Sequence, residues 1–137
     1  MRILLATMNP GKLREYERLL ADVPGLKLET MASLAEPVNV VEDCDTFIGN
    51  ARKKATEVAA VAGVPCLSDD SGLEVDALGG RPGVHSARYS GESATDASNN
   101  AKLLEELSGV AAAARTARFQ CAIVVVDAEG RELAVAE

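Results

Sequence analysis

The chain is poor in aromatics and in basic charge. It has no tryptophan, two phenylalanines and two tyrosines among 137 residues, so its core must be built from Val, Leu, Ile and Ala. Lys and Arg number 14 against 21 Asp and Glu, a formal charge of −7. That balance excludes a nonspecific grip on a nucleic-acid backbone, which needs a basic footprint. It leaves room for a phosphate ligand held by a few lysines and a divalent cation. There are three cysteines, Cys44, Cys66 and Cys121, an odd number without CxxC or Cys/His zinc spacing. Cys66 and Cys121 lie in apolar runs and read as buried thiols. No apolar run reaches membrane-spanning length and no signal peptide opens the chain. The expectation is a reduced, cytoplasmic protein with no membrane and no nucleic-acid polymer among its partners. At 47% hydrophobic and 26% charged, the composition is globular, and the length predicts a single domain over 1–137.

What is present is an alternation of apolar runs and helical periodicity. "RILLAT" (Arg2–Thr7) is a short apolar run closed by the turn signal "MNPGK", hence a buried strand. Leu13, Tyr16, Leu19 and Leu20 recur at helical spacing and predict a helix from about Gly11 to Ala21. "LKLET" alternates as a second strand. "MASLAEPVNVVEDCD" reads as a loop with a helical turn in it. A second helix begins near Thr46 with Asp45 as its N-cap, presents Phe47, Ala51, Val58 and Ala62, and stops at Gly63. "VPCLS" is a third strand running into Asp69–Asp70, and "LEVDAL" a further short one. "GGRPGVHSARYSGES" reads as loop. Thr95 or Asp96 caps a third helix with Leu103, Leu104 and Leu107 inward. Two strands around a turn at Asp127–Gly130 complete the chain. This order predicts an α/β fold, a mixed central sheet flanked by helices. The apolar strand Phe119–Val126 needs cover on both sides, and without it the chain should expose an apolar patch and self-associate.

Four groups of residues can carry chemistry. "TMNPGK" (Thr7, Met8, Asn9, Pro10, Gly11, Lys12) joins strand to helix. Glycine allows close backbone approach, a helix N-terminus offers free N–H donors to an anion, and Lys12 adds full charge. The Walker A spacing is absent, and an ordinary strand–helix turn fits the same residues. Asp69 and Asp70 come at a strand end, where open α/β sheets bind ligands. Successive strand residues point opposite ways, so one of the two faces a given ligand. Glu42, from an earlier loop, can join it, and such oxygen ligands suit Mg²⁺. A solvated acidic turn is the alternative. Asn50 and Lys54 share one face of the second helix, whereas Arg52 and Lys53 read as a solvated basic face. His85, the only histidine, lacks a nucleophile-elbow partner and reads as a packing residue. Arg88 can meet a phosphate or a carboxylate.

Three ordered segments, "LLATMNPGKLREYERLL", "VEDCDTFIGNARKKA" and "LSDDSGLEVDALGGRPGVHSARYSG", closely resemble the inosine triphosphate pyrophosphatase (XTP/dITP diphosphatase) family. That resemblance implies the ITPase-like, Maf/Ham-like architecture. It implies Mg²⁺-dependent hydrolysis of ITP, dITP or XTP to monophosphate and pyrophosphate, and a homodimer. It implies that Thr7 to Lys12 cradle the triphosphate, that Glu42 and Asp70 bind the metal, and that Asp70 accepts a proton. Ser71 then contacts substrate, Asn50 and Lys54 support substrate binding, and Asp69 is a further candidate metal ligand. The chain departs from the family pattern at Gly49, where a Glu is usual, at Ser68 for Ala, and at His85 for Tyr. It contains nothing like the family's GFGYDP and SHR segments, so the match is expected to cover the family's N-terminal part, a C-terminally truncated domain. The alternatives are a nucleotide or pyrophosphate binder without turnover and, last, a Maf-like pyrophosphatase, which opens on a Ser/Arg-rich loop instead.

Overall fold

Short, β-branched and leucine-rich segments assemble into one five-stranded sheet in the computed structural model, which describes residues 1–137. The strands are β1 (Arg2–Leu5), β2 (Lys27–Thr30), β3 (Cys66–Val75), β4 (Ala117–Val126) and β5 (Glu132–Ala136), in the order β2-β1-β3-β4-β5. β1 pairs parallel with β2 and, through Leu4 opposite Cys66 and Leu5 opposite Leu67, with β3. β3 and β4 pair antiparallel over their whole length, from Cys66 opposite Val126 to Val75 opposite Ala117. The Asp127–Gly130 turn then sends β5 back along β4. The sheet is therefore mixed, as the alternation of elements predicts.

Two helices pack on the sheet, and a third lies against the Gly83–Arg88 segment. Helix α1 (Pro10–Leu19) starts at Asn9, whose Oδ1 accepts from the Gly11 amide at 2.8 Å. Proline in the first turn loses no hydrogen bond, because that N–H has no helical partner. Helix α2 (Phe47–Ala62) is capped by Thr46, whose hydroxyl accepts from the Gly49 amide, and ends at Gly63 with φ 64°. That left-handed stop favours glycine. Helix α3 (Asp96–Glu106) opens on a Thr95–Ser98 capping box.

The two faces of the sheet carry separate cores. Leu4, Cys66, Val124 and Val126 meet Ala51, Ala55, Val58 and Ala59 of α2 on one face. Leu5 and Leu67 meet Tyr16 of α1 on the other, with Ile123 and Val125 at its margin. Small residues on α2 let the helix lie close on the sheet, which offsets the shortage of aromatics in the core.

Several expectations are corrected. The segments read as two strands are one, because ladder hydrogen bonds with β4 continue through Asp69, Asp70, Ser71 and Gly72. Tertiary pairing here overrides the weak strand preference of Asp and Gly. Thr46 caps α2 in place of Asp45, while of the two candidates for α3 it is Thr95 that caps. Leu19 and Leu104 are exposed. Each lies on a helical flank that no other element covers. "GVHSAR" forms a 3-10 stretch, Gly83–Arg88, within what reads as loop. Cys66 is buried, but Cys121 is exposed, since it faces an open hollow between β4 and α1 instead of packed side chains.

Candidate functional site

Strand β1 ends at Leu5, while β3 continues for eight residues beyond the register it shares with that strand. Asp69 and Asp70 lie just past that step. They occupy the middle of β3 and not its end, yet they sit beyond the C-terminal edge of β1. Alternation along the strand sends them to opposite faces. Asp69, in phase with Leu67, pairs with Lys12 on the α1 side. Asp70, in phase with Cys66, meets Asn50 on the α2 side.

On the α1 side the Thr7–Lys12 turn is internally braced. The Thr7 hydroxyl accepts from the Asn9 amide at 3.1 Å, and Asn9 in turn accepts from Gly11. Met8 is exposed and Pro10 opens the helix. Lys12 reaches Asp69 and, with Tyr16, Ser71, Phe119 and Cys121, lines a hollow of about 330 Å³. Tyr16 is one helical turn after Lys12, so the two share a face. Burial and then the charge of Asp69 push the Tyr16 hydroxyl well above its usual pKa. Spacing alone could have flagged that tyrosine as a neighbour of Lys12.

On the α2 side, one turn of helix is stitched to the acidic loop. Lys54 Nζ lies 2.5 Å from Glu42 Oε1, and Lys53 lies 2.6 Å from Asp43. Asn50 Oδ1 accepts from the Cys44 amide at 2.9 Å, while its Nδ2 donates to Asp70 Oδ2 at 2.9 Å. Arg88 Nη2 donates to the Glu42 carbonyl at 3.0 Å and lies 3.3 Å from His85 Nδ1. Arg88 thus meets a backbone oxygen of the acidic loop. Lys53 pairs with Asp43 on the solvated side of α2, and Arg52 pairs with Glu132 of β5. These partners are far away in sequence, which is why periodicity does not reveal them.

Asp70 has a distinctive setting. Its Oδ1 accepts from the Ser71 amide at 3.0 Å and its Oδ2 from Asn50. Burial raises its carboxyl above the usual value, Asn50 works against that, and the negative charge of Glu42 adds to it. Ser71 itself is exposed beside this carboxylate. Two residues back on the same face, the buried Ser68 hydroxyl has no hydrogen-bond partner.

Lys12 and the Asn50–Lys54–Glu42–Asp70 group therefore approach β3 from opposite faces, and they converge only through the adjacent residues Asp69 and Asp70. No set of three or more His, Cys, Asp or Glu side chains gathers as a ready-made metal cage. The donor set is two carboxylates, Glu42 and Asp70, close enough for one to disfavour ionisation of the other. Mg²⁺ is commonly held by one or two carboxylates, with water and substrate phosphates completing its octahedron. The residues present fit that requirement.

The profile of the Ham1 family matches residues 3–137. The chain belongs to the Ham1 family. Among curated relatives, the dITP/XTP pyrophosphatase of Geobacter sulfurreducens is 51% identical over 132 residues, covering 95% of this chain. That of Geobacillus kaustophilus is 49% identical over 135 residues, covering 98%. In both cases the chain spans 65% of the relative's length. Among solved structures, a HAM1 protein from Coxiella burnetii superimposes with TM-score 0.88 at 38% identity, over 99% of this chain and 68% of that one. The nucleoside-triphosphatase / dITP/XTP pyrophosphatase of Mycobacterium abscessus gives 0.86 at 43% identity, over 99% and 70%. The mixed sheet read from the sequence is thus the Ham1 sheet.

Proposed function

We propose that this Ham1-family chain handles the metal and phosphates in hydrolysis of non-standard purine nucleoside triphosphates, ITP, dITP or XTP, to monophosphate and pyrophosphate. The observation that carries the reading is the Asp70 carboxylate. It is partly desolvated, both its oxygens are held by N–H donors, and it stands beside Glu42 at the step past β1. The names of the relatives support the substrate class.

In this mechanism Asp70 aligns a water for attack on the α-phosphorus and accepts its proton, a role suited to a carboxyl whose proton affinity is raised by burial. The new P–O bond forms as the bond to the bridging oxygen breaks, and pyrophosphate leaves. Lys12 exchanges Asp69 for a phosphate oxygen, with the amides of the Asn9–Gly11 turn beside it. Lys54 exchanges Glu42 for phosphate in the same way. Glu42 and Asp70 would hold Mg²⁺, which supplies charge neutralisation at the phosphates and acidifies bound water. Ser71 borders the substrate. Asp69 is the counter-ion of Lys12, a supporting role and not a metal ligand.

Pyrophosphate release from ITP with Mg²⁺ tests the proposal, and Asp70→Asn is expected to lower kcat about 100-fold or more. An Asp70→Asn protein as active as the wild type would overturn it. A second reading, nucleotide binding without turnover, draws on Gly49. A Cβ there would lie 2.9 Å from Cys44 Cβ, so this helix start has no room for the Glu usual in the family pattern. Calorimetric binding of ITP with no pyrophosphate released would favour that reading. We propose further that the chain works in a reduced, cytoplasmic setting as a homodimer. Its three cysteines are free, and no helix is long and apolar enough to cross a membrane.

A further inference from the structure

Asn50 reads from the sequence as a substrate contact, and its surroundings argue otherwise. It is 1% exposed, on the face of α2 that otherwise buries Phe47, Ala51, Ala55, Val58 and Ala59. Asparagine is a poor helix former, and a buried amide is costly unless its groups are paired. Here both ends are engaged. The Cys44 N–H can only donate, so the carbonyl oxygen of Asn50 must face it. That fixes the amide orientation and leaves the NH₂ toward Asp70. Asp70 Oδ2 must therefore accept. With the Ser71 amide on Oδ1, the plane of the carboxylate is set from two sides.

We infer that Asn50 is a positioning residue. One buried amide sets the orientation of Asp70 and its separation from the Glu42–Cys44 loop, and touches no substrate. The inference rests on the proposed role of Asp70. Its physical content is that the acidic loop and β3, distant in sequence, are held in register by a group with a donor at one end and an acceptor at the other. Neighbours that orient a metal-binding or catalytic carboxylate typically matter about 10- to 100-fold.

The test compares the full chain as wild type, Asn50→Ala, Asn50→Asp, and Asn50→Asp combined with Asp70→Asn. For Asn50→Ala, kcat for ITP is expected to fall about 10- to 100-fold, with KM essentially unchanged because the amide never meets the nucleotide. Asn50→Asp alone sets two carboxylates face to face and should lower the melting temperature. The reciprocal pair restores the pattern. The new carboxylate at 50 accepts from Cys44 and from the new amide at 70, whose carbonyl accepts from Ser71. Its melting temperature should return close to wild type while kcat stays as low as in Asp70→Asn alone. A raised KM with unchanged kcat in Asn50→Ala would make Asn50 a substrate contact and overturn the inference. So would unchanged kinetics, or a reciprocal pair no more stable than Asn50→Asp. If wild-type chain releases no pyrophosphate, it is the functional reading that fails. The melting comparison still decides whether the amide clamps Asp70 to the loop.

Discussion

Ser68 shows how a single hydroxyl registers in this fold. It is 1% exposed and its Oγ has no partner, in a column of side chains that otherwise pair or pack. A buried hydroxyl without a partner forfeits its hydration for nothing in return. Ser68→Ala is expected to stabilise the chain by about 1 kcal/mol, read from the midpoint of urea unfolding, and a lower midpoint would contradict this. The titrating residues act in two directions. Hydrogen bonds from Arg2 to Glu29, from Lys53 to Asp43, and from Thr116 and then Arg118 to Asp76 hold these carboxyls below their usual values. Their stabilisation is present above the unfolded-state pKa and is lost as pH falls through the lower folded value. Asp70 is raised by burial, so its contribution has the opposite sign. Stability falls as pH rises from the ordinary carboxylate range through its raised value. Thermal melts should therefore show net acid destabilisation below about pH 4. Because Asp43 and Asp76 are solvent-exposed, high salt should flatten that limb. A melting temperature that climbs on acidification would mean that Asp70 outweighs the carboxyls held low, Asp127 among them.

At the scale of elements, the docking of the Gly83–Arg88 stretch on β3 decides whether the acidic loop is held. Ser86 Oγ accepts from the Leu73 amide at 2.9 Å and donates to the Gly83 carbonyl at 2.6 Å. This close seat exists because residue 72 is glycine. A Cβ there would come within 2.3 Å of the Gly83 oxygen and 2.6 Å of Ser86 Oγ. Gly72→Ala must push the stretch off the strand, at a cost of roughly 1–3 kcal/mol. Arg88 would leave the Glu42 carbonyl with it, so both stability and pyrophosphate release should drop. A Gly72→Ala protein with wild-type melting and turnover would show that the stretch is not needed where it lies. The same steric logic applies at Gly49, which α2 propensity alone would have replaced with alanine. Gly49→Ala should destabilise through Cys44 Cβ and the capping Thr46 Oγ1, each 2.9 Å from the new Cβ, and Cys44→Gly should relieve the first part. The relief is measured as a non-additive double-mutant cycle.

Across the whole molecule, the two halves of the sheet are unequally covered. α2 and α1 bury the parallel half and the far end of β4. The near end of β4 and all of β5 stay open, with Phe119 83% exposed and Leu133 and Val135 exposed on the edge strand. A paired strand with a free edge and apolar side chains is a template for association. Sedimentation over a range of concentrations is expected to show self-association, and Leu133→Lys with Val135→Lys to weaken it. A single monomeric species at every concentration would count against the expectation.

What the sequence determined by itself is mostly local. Strand β1, the Asn9–Gly11 turn, the stop of α2 at Gly63 and the Asp127–Gly130 hairpin all follow from apolar runs, side-chain caps and glycine, which act over a few residues. The opposite pointing of Asp69 and Asp70 is equally legible, since it needs only the two-residue period of a strand. The ordered motifs carried the family. Tertiary structure alone decided that β3 runs unbroken through its acids, because the hydrogen bonds that keep Asp and Gly extended come from β4, some fifty residues later. It alone decided that Lys12 takes Asp69 while Lys54 takes Glu42, and that Asn50 turns inward to Asp70. Those choices depend on which face of the sheet each helix covers, and that is settled by packing, not by any pattern along the chain.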